Sequence, residues 1–247
     1  MPLLSVNGQS LNYEEVGSGE AFVYLAYTRF DSAAYWLDYM QTHATGFRVI
    51  LPDARGMGRS VHVPMIEPRD WVDDLLGLFD ALQLDRVHLA SETLGSRVAT
   101  RFAADHPERV KSLILNAAIA YSSPEGDRAR HASADPANMA ASRRELMQKL
   151  QGDDWEAVNR FYQDLHERED FKSYYDLRQV APRVQAPTLI MRGDIDEPVH
   201  PVEHSTVVHQ LVPSSWLAIF PNTEFNVLRA HPTESWALIR EFMAANS

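Results

Sequence analysis

Three short runs in this chain combine residue types that could do chemistry. His200-Pro201-Val202-Glu203-His204 has the H-x-x-E-H spacing, in which two histidines one helical turn apart can share a zinc ion while the glutamate serves as base. Proline at 201 also suits the first position of a helix, and so short a pattern often arises by chance, so a helix start without metal is expected. Asp53-Ala54-Arg55-Gly56-Met57-Gly58-Arg59-Ser60 couples glycines that permit tight turns to two arginines able to tie the loop to acidic neighbours. That reads as a structural loop. Tyr27, Thr28 and Arg29 place hydroxyl and guanidinium groups side by side, where they could hold a polar or anionic ligand. His88, between Val87 and Leu89, reads instead as a hydrogen-bonded structural histidine. No G-x-G-x-x-G follows a strand pattern, so no dinucleotide is expected, nor any other cofactor.

Such groups need a scaffold, and the composition provides for one. In 247 residues with 45% apolar content there is enough hydrophobic material for a single large core. The net charge of −11, from 34 acidic and 23 basic residues, is spread along the chain and disfavours nucleic acid and anionic membranes as partners. With no cysteine there are no disulfides, thiolate metal sites or cysteine nucleophiles, which fits a reducing cytoplasm. The opening MPLLSVNGQSLNYEE has no basic region or long apolar run, so no signal peptide is expected, and no stretch approaches a membrane span.

Two alternating runs, Leu3 to Val6 and Ser10 to Glu15, meet at Asn7-Gly8 and predict a hairpin at a sheet edge. Short apolar runs follow at Phe22 to Ala26, Phe47 to Leu51, Val87 to Ala90, Val110 to Leu115, Thr188 to Met191 and Trp216 to Phe220, each suited to a buried parallel strand. Helical patterns lie between them at Ser32 to Thr42, Arg69 to Leu82, Gly95 to Asp105, Pro201 to Leu211 and Thr233 to Met243, so an α/β fold with a mostly parallel sheet is expected. From Tyr121 to Gln185 the rhythm breaks into charged, helix-forming sequence bounded by Pro124, Gly126, Pro182 and Pro187, which reads as a helical insertion.

The Asp53 to Ser60 loop resembles the D-x-R-G-x-G-x-S loop of α/β-hydrolase proteins, and the other landmarks of that family follow in order over nearly the whole chain. The resemblance implies a sheet of about eight strands with helices on both faces, a core of 1–120 and 186–247, and a lid of 121–185. It also implies where the catalytic residues should stand. The nucleophile of the family G-x-S-x-G turn corresponds to Thr93 in Ser91-Glu92-Thr93-Leu94-Gly95, where a β-branched residue is disfavoured in the positive-φ turn. The acid corresponds to Asp196. Counting forward from Pro221 or back from Pro232 puts Phe225 at the histidine position, and phenylalanine cannot take a proton. The adjacent Glu224, His231 beside the last helix, and His200 near Asp196 are the alternative bases. The usual His-Gly after the third strand is replaced by Tyr27-Thr28-Arg29, which alters the oxyanion loop.

Thr93 and Asp196 are therefore the candidate catalytic residues. Tyr27, Thr28, Arg29, Glu92, Leu94, Trp155, Tyr162 and Phe225 are the candidate substrate contacts, Trp155 and Tyr162 among them coming from the lid. The ligand expected is a small, partly apolar carbonyl compound (ester, lactone or ketone). Because acyl transfer needs nucleophile, base and oxyanion donors together, lyase, isomerase or cyclase chemistry is as open as hydrolysis. A catalytically silent ligand-binding or regulatory protein is the alternative. Oligomeric state is not legible.

Overall fold

A computed structural model of the chain describes residues 3–246; positions 1–2 and 247, the outermost of the expected core, lie outside the described residues. The hairpin forms as β1 (Leu3–Val6) and β2 (Gln9–Gly17). Asn7 and Gly8 both take positive φ, 51° and 75°, as the two central residues of a primed turn must. Strand and helix then alternate through β3 (Glu20–Leu25), α1 (Ala33–His43), β4 (Phe47–Pro52), α2 (Asp70–Ala81), β5 (Val87–Glu92), α3 (Leu94–Asp105) and β6 (Val110–Asn116). The insertion folds as α4 (Pro124–Ala134), α5 (Ala141–Gln151), α6 (Trp155–Glu167), α7 (Glu169–Tyr174) and α8 (Leu177–Val180). The alternation resumes with β7 (Thr188–Gly193), α9 (Val202–Leu211), β8 (Trp216–Phe220), α10 (Val227–Ala230) and α11 (Pro232–Ala245).

The eight strands form one sheet in the order β1-β2-β4-β3-β5-β6-β7-β8. β2 runs antiparallel to both neighbours, and from β4 to β8 all pairs are parallel. Side chains alternate across each strand, so β3 sends Val23 and Leu25 to one face and Phe22 and Tyr24 to the other. The first face packs on Trp71, Val98 and Phe102 of α2 and α3. The second packs on Trp36 of α1 and on Trp236 and Phe242 of α11.

Two glycine-dependent loops shape the carboxyl edge of the sheet. Asp53 is buried and accepts from Ala33 N–H (2.6 Å), Asn12 Nδ2 (2.8 Å) and Arg59 N–H (2.9 Å), while Arg55 pairs with Asp74 at 2.5 Å and Asp70 at 3.1 Å. These bonds make the 53–60 loop a structural brace, as its sequence suggested. At Gly193 a Cβ would overlap the carbonyl oxygens of Thr223 and Glu224, so only glycine lets the loop after β7 lie against the loop after β8.

The direction of chain progression reverses at β3, whose neighbours β4 and β5 are reached by opposite crossovers. A crevice outside the carboxyl ends of these strands is where α/β sheets bind ligands. Gly95, in the first turn of α3, abuts the end of β3 there, where a Cβ would overlap the Leu25 carbonyl oxygen. Gly95→Ala must push α3 off β3 and is expected to cost about 2–3 kcal/mol, measurable as a lowered urea midpoint with unchanged slope.

Candidate active site

β5 passes into α3 through a single residue, Thr93, at φ 47° and ψ −119°. A β-branched side chain in this region is strained by about 1–3 kcal/mol, so the expected sharp strand-to-helix turn forms on a threonine. Its neighbours enforce it. Thr93 N–H donates to Asn116 O (3.3 Å), and Thr93 O accepts from Ser96 N–H (3.0 Å) and Ser96 Oγ (2.5 Å). Thr93 Oγ1 is buried and has no hydrogen-bond partner among the described residues.

The turn faces a cavity of about 500 Å³. Thr28, Arg29 and Asp31 line it from the loop after β3, Glu92 and Thr93 from the turn, and Arg130, Arg143, Tyr162 and His166 from α4 to α6. Glu197, His200, Phe225, Asn226 and Arg229 close it from the loops after β7 and β8 and from α10. The structure thus brings together six of the residues expected from sequence: Thr28, Arg29, Glu92, Thr93, Tyr162 and Phe225.

Four expected contacts lie elsewhere. Tyr27 turns into the core, its ring 5.7 Å from that of Trp71. Leu94 is buried in the main apolar core. Trp155 packs with Met139, Met147 and Phe30 in a separate small cluster. Asp196 is exposed, and its Oδ1 accepts from Val202 N–H at 2.6 Å, so it ties down the first turn of α9 while the next residue, Glu197, faces the cavity.

Phe225 does not stand alone at the histidine position. The His200 ring stacks on it with centroids 4.3 Å apart and planes at 17°, and His200 Nδ1 lies 2.5 Å from Glu197 Oε1. Of the other histidines, His166 also lines the cavity, its Nδ1 2.8 Å from Tyr162 O, whereas three are engaged outside it: His231 Nε2 with Thr223 Oγ1 (2.7 Å), His88 with Ser112 Oγ (2.8 Å) and Glu20 (3.0 Å), and His204 against the Tyr121 ring. Glu224 is exposed. No group of three or more potential ligands that could hold a metal ion occurs among the described residues.

Arg29 is only 2% exposed. Its Nη2 donates to Ser133 Oγ at 2.8 Å, and its Cζ lies 4.6 Å from the Phe30 ring centre and 5.1 Å from that of Tyr162. Nε and Nη1 have no partner among the described residues. Burial pulls the guanidinium down to about 10, which leaves it cationic at neutral pH. A buried cation with free donors, on the wall of a cavity, can take an anionic oxygen in two-point contact.

Asp31 and Glu92 share the same cavity wall. Burial, and secondarily the Glu92 charge, hold the Asp31 carboxyl well above the usual carboxylate range. Asp31, Arg130, Arg143, Asn226 and Arg229 were not singled out from sequence. Asp31 is two residues beyond Arg29 and Asn226 is next to Phe225, so loop neighbourhood was the available signal; nothing comparable marked the arginines of α4 and α5.

A carboxyl with a raised folded pKa carries a proton that the unfolded chain has already lost. Folding stability therefore falls as pH rises from the usual carboxylate range through the raised value. Asp31→Asn removes that term, so its stability relative to wild type is expected to be greater at pH 8 than at pH 4, read from urea unfolding at both pH values.

Comparison with known proteins agrees with this architecture. The family described as alpha/beta hydrolase fold matches residues 23–167. The chain is 26% identical over 248 residues to serine hydrolase BPHL of Mus musculus, spanning 97% of this chain and 85% of that protein. It is 36% identical over 111 residues to 2-hydroxy-6-oxo-6-phenylhexa-2,4-dienoate hydrolase of Comamonas testosteroni, which covers 42% of this chain and only 38% of the relative. Among solved structures, a meta-cleavage product hydrolase from Pseudomonas fluorescens superposes with a TM-score of 0.77 at 19% identity over 98% and 97% of the two chains. An enol-lactonase from Burkholderia xenovorans superposes at 0.71 and 20% identity over 98% and 100%; at these identities the likeness establishes the fold alone. No helix among the described residues is long and apolar enough to cross a membrane. From the family match and the strand order together, this chain belongs to the α/β-hydrolase fold family.

Proposed function

We propose that this chain is an enzyme acting on a small, partly apolar carbonyl compound that carries an anionic group. Residues 121–185 serve as a lid over a core of 1–120 and 186–247. The ligand lies beneath that lid with its carbonyl at the Thr93 turn and its anionic end on Arg29. The chemistry departs from Ser-His-Asp ester hydrolysis, because Phe225 fills the histidine position and Asp196 lies outside the cavity.

The observation that carries this reading is the strained turn itself. A threonine held at φ 47° with an unpartnered hydroxyl beside an open cavity carries local strain, and such strain clusters at functional sites. The curated relatives named above are hydrolases, which favours a carbonyl substrate. The ring stack on Phe225 favours a second reading, a silent ligand-binding protein, since an aromatic surface in place of the base suits binding without turnover.

A screen of esters and lactones, each with and without a carboxylate, separates the two readings. Wild type is expected to turn over the carboxylate-bearing members at least about tenfold faster than their neutral counterparts, from one charged contact of 1.5–3 kcal/mol. Turnover confined to the double variant Thr93→Ser, Phe225→His would instead establish the silent pocket.

A further inference from the structure

A site without an imidazole at its turn still needs a group that can take up and return a proton. Of the three carboxyl groups on the cavity wall, Glu197 is engaged with His200, which leaves Asp31 and Glu92. Asp31 follows Arg29 by two residues, Glu92 is the last residue of β5 before Thr93, and both line the cavity. Their carboxyls stand within hydrogen-bonding reach of each other.

The surroundings hold this pair with neutral donors more than with charge. Trp36 Nε1 donates to Asp31 Oδ1 at 3.0 Å and Thr28 Oγ1 to Asp31 Oδ2 at 3.3 Å. Asn226 Nδ2 donates to Glu92 Oε2 at 2.7 Å, and its own Oδ1 accepts from Asn116 Nδ2 at 3.1 Å. Of the charged and titratable groups that face the pair, Tyr24 comes from β3, Tyr39 from α1 and Arg229 from α10. Arg229 is the cation among them, its Nη2 3.9 Å from Asp31 Oδ1. Two carboxylates in contact away from bulk water cannot both ionise readily, so such a pair retains a proton.

We propose that Asp31 and Glu92 share one proton and serve as the acid–base pair that adds water to the carbonyl carbon of a carboxylate-bearing ester or lactone anchored by Arg29. This rests on reading the cavity as a carbonyl-compound site. The ionised carboxyl takes a proton from water as the water oxygen bonds to the carbonyl carbon. The C=O electron pair moves to oxygen, which takes the proton held by the other carboxyl. On collapse one hydroxyl returns its proton to that second carboxyl and the C=O re-forms. The carbon–alkoxy bond breaks, and the leaving oxygen takes the proton first removed from water. One water is consumed, an acid and an alcohol are released, and the pair again holds one proton. Thr93 lies beside the reacting carbon and is not acylated.

The test uses infrared difference spectra and the hydrolysis of mono-4-nitrophenyl adipate by wild type, Asp31→Asn and Glu92→Gln. Wild type at pH 7 is expected to show a protonated-carboxyl C=O stretch that is absent from Asp31→Asn and shifted in frequency in Glu92→Gln, where burial still holds the Asp31 proton. The kcat of each carboxyl variant is expected to fall at least about 100-fold, the scale of general acid–base catalysis, with one limb of a bell-shaped pH profile lost in each. Wild type sampled during turnover is expected to carry no acyl adduct on Thr93, because no covalent step depends on it. Both carboxyl variants are near-isosteric, and thermal midpoints at or above wild type would verify that they fold. A wild type without the carboxyl band overturns the shared proton even if the ester is hydrolysed. Undiminished turnover in either carboxyl variant, or an acyl adduct on Thr93 by mass spectrometry, overturns the catalytic role. The band without hydrolysis of any ester or lactone refutes the carbonyl-compound reading itself.

Discussion

The positive-φ turn at Thr93 is the constraint around which the rest of the site is arranged. A strand can pass into a helix through one residue only if that residue accepts a conformation hostile to L side chains, and threonine accepts it poorly. The fold supplies the compensation around the turn. Asn116 at the end of β6 and Ser96 in α3 bond its backbone, and Gly95 lets α3 meet the end of β3. Because β5 is buried at every position, the turn cannot relax by sliding the strand. Glu92, Thr93 and the N-terminus of α3 are thereby presented together at the carboxyl edge of the sheet.

Around that fixed point the polar groups are unusually uncompensated. Arg29 is buried without a carboxylate partner among the described residues, while Asp31 and Glu92 face each other with Arg229, 3.9 Å from Asp31, as the cation near them. A buried charge left in this condition lowers stability unless something else satisfies it. An anionic ligand would satisfy the first and a retained proton the second, so one cavity accounts for both departures. The structural charges elsewhere show the contrast: Arg55 is held by Asp74 and Asp70, and buried Arg192 donates to the carbonyls of Gly193, Ile195 and His200.

Much of the scaffold was legible in the sequence because its signals are local. Asn7-Gly8 dictates a primed turn, and short apolar runs separated by helical periods dictate a parallel sheet. Four-residue α10 escaped notice, since one turn has no period to read and its N-cap, Asn226, lies beside the more conspicuous Phe225. The site was legible only where chain position alone decides the outcome. Thr93 and Phe225 follow from counting along motifs. Asp196 shows the limit of counting: spacing does not fix which way a loop side chain points, and the neighbouring Glu197 faces the cavity instead. Tyr27 and Trp155 failed for the same reason, being drawn to Trp71 and to Met139 and Met147. Asp31 and the arginines of α4 and α5 become neighbours only through tertiary packing.

If Arg29 is the anchor of the cavity, charge on the ligand must matter more than its size. Isothermal titration calorimetry of hexanoate and hexanamide against wild type and Arg29→Gln tests that point directly. Hexanoate should bind wild type and weaken by about 10- to 100-fold in Arg29→Gln, the loss of one charge-assisted contact, with hexanamide weak for both. Equal affinity of wild type for the acid and the amide, or hexanoate affinity unchanged in Arg29→Gln, would contradict the assignment.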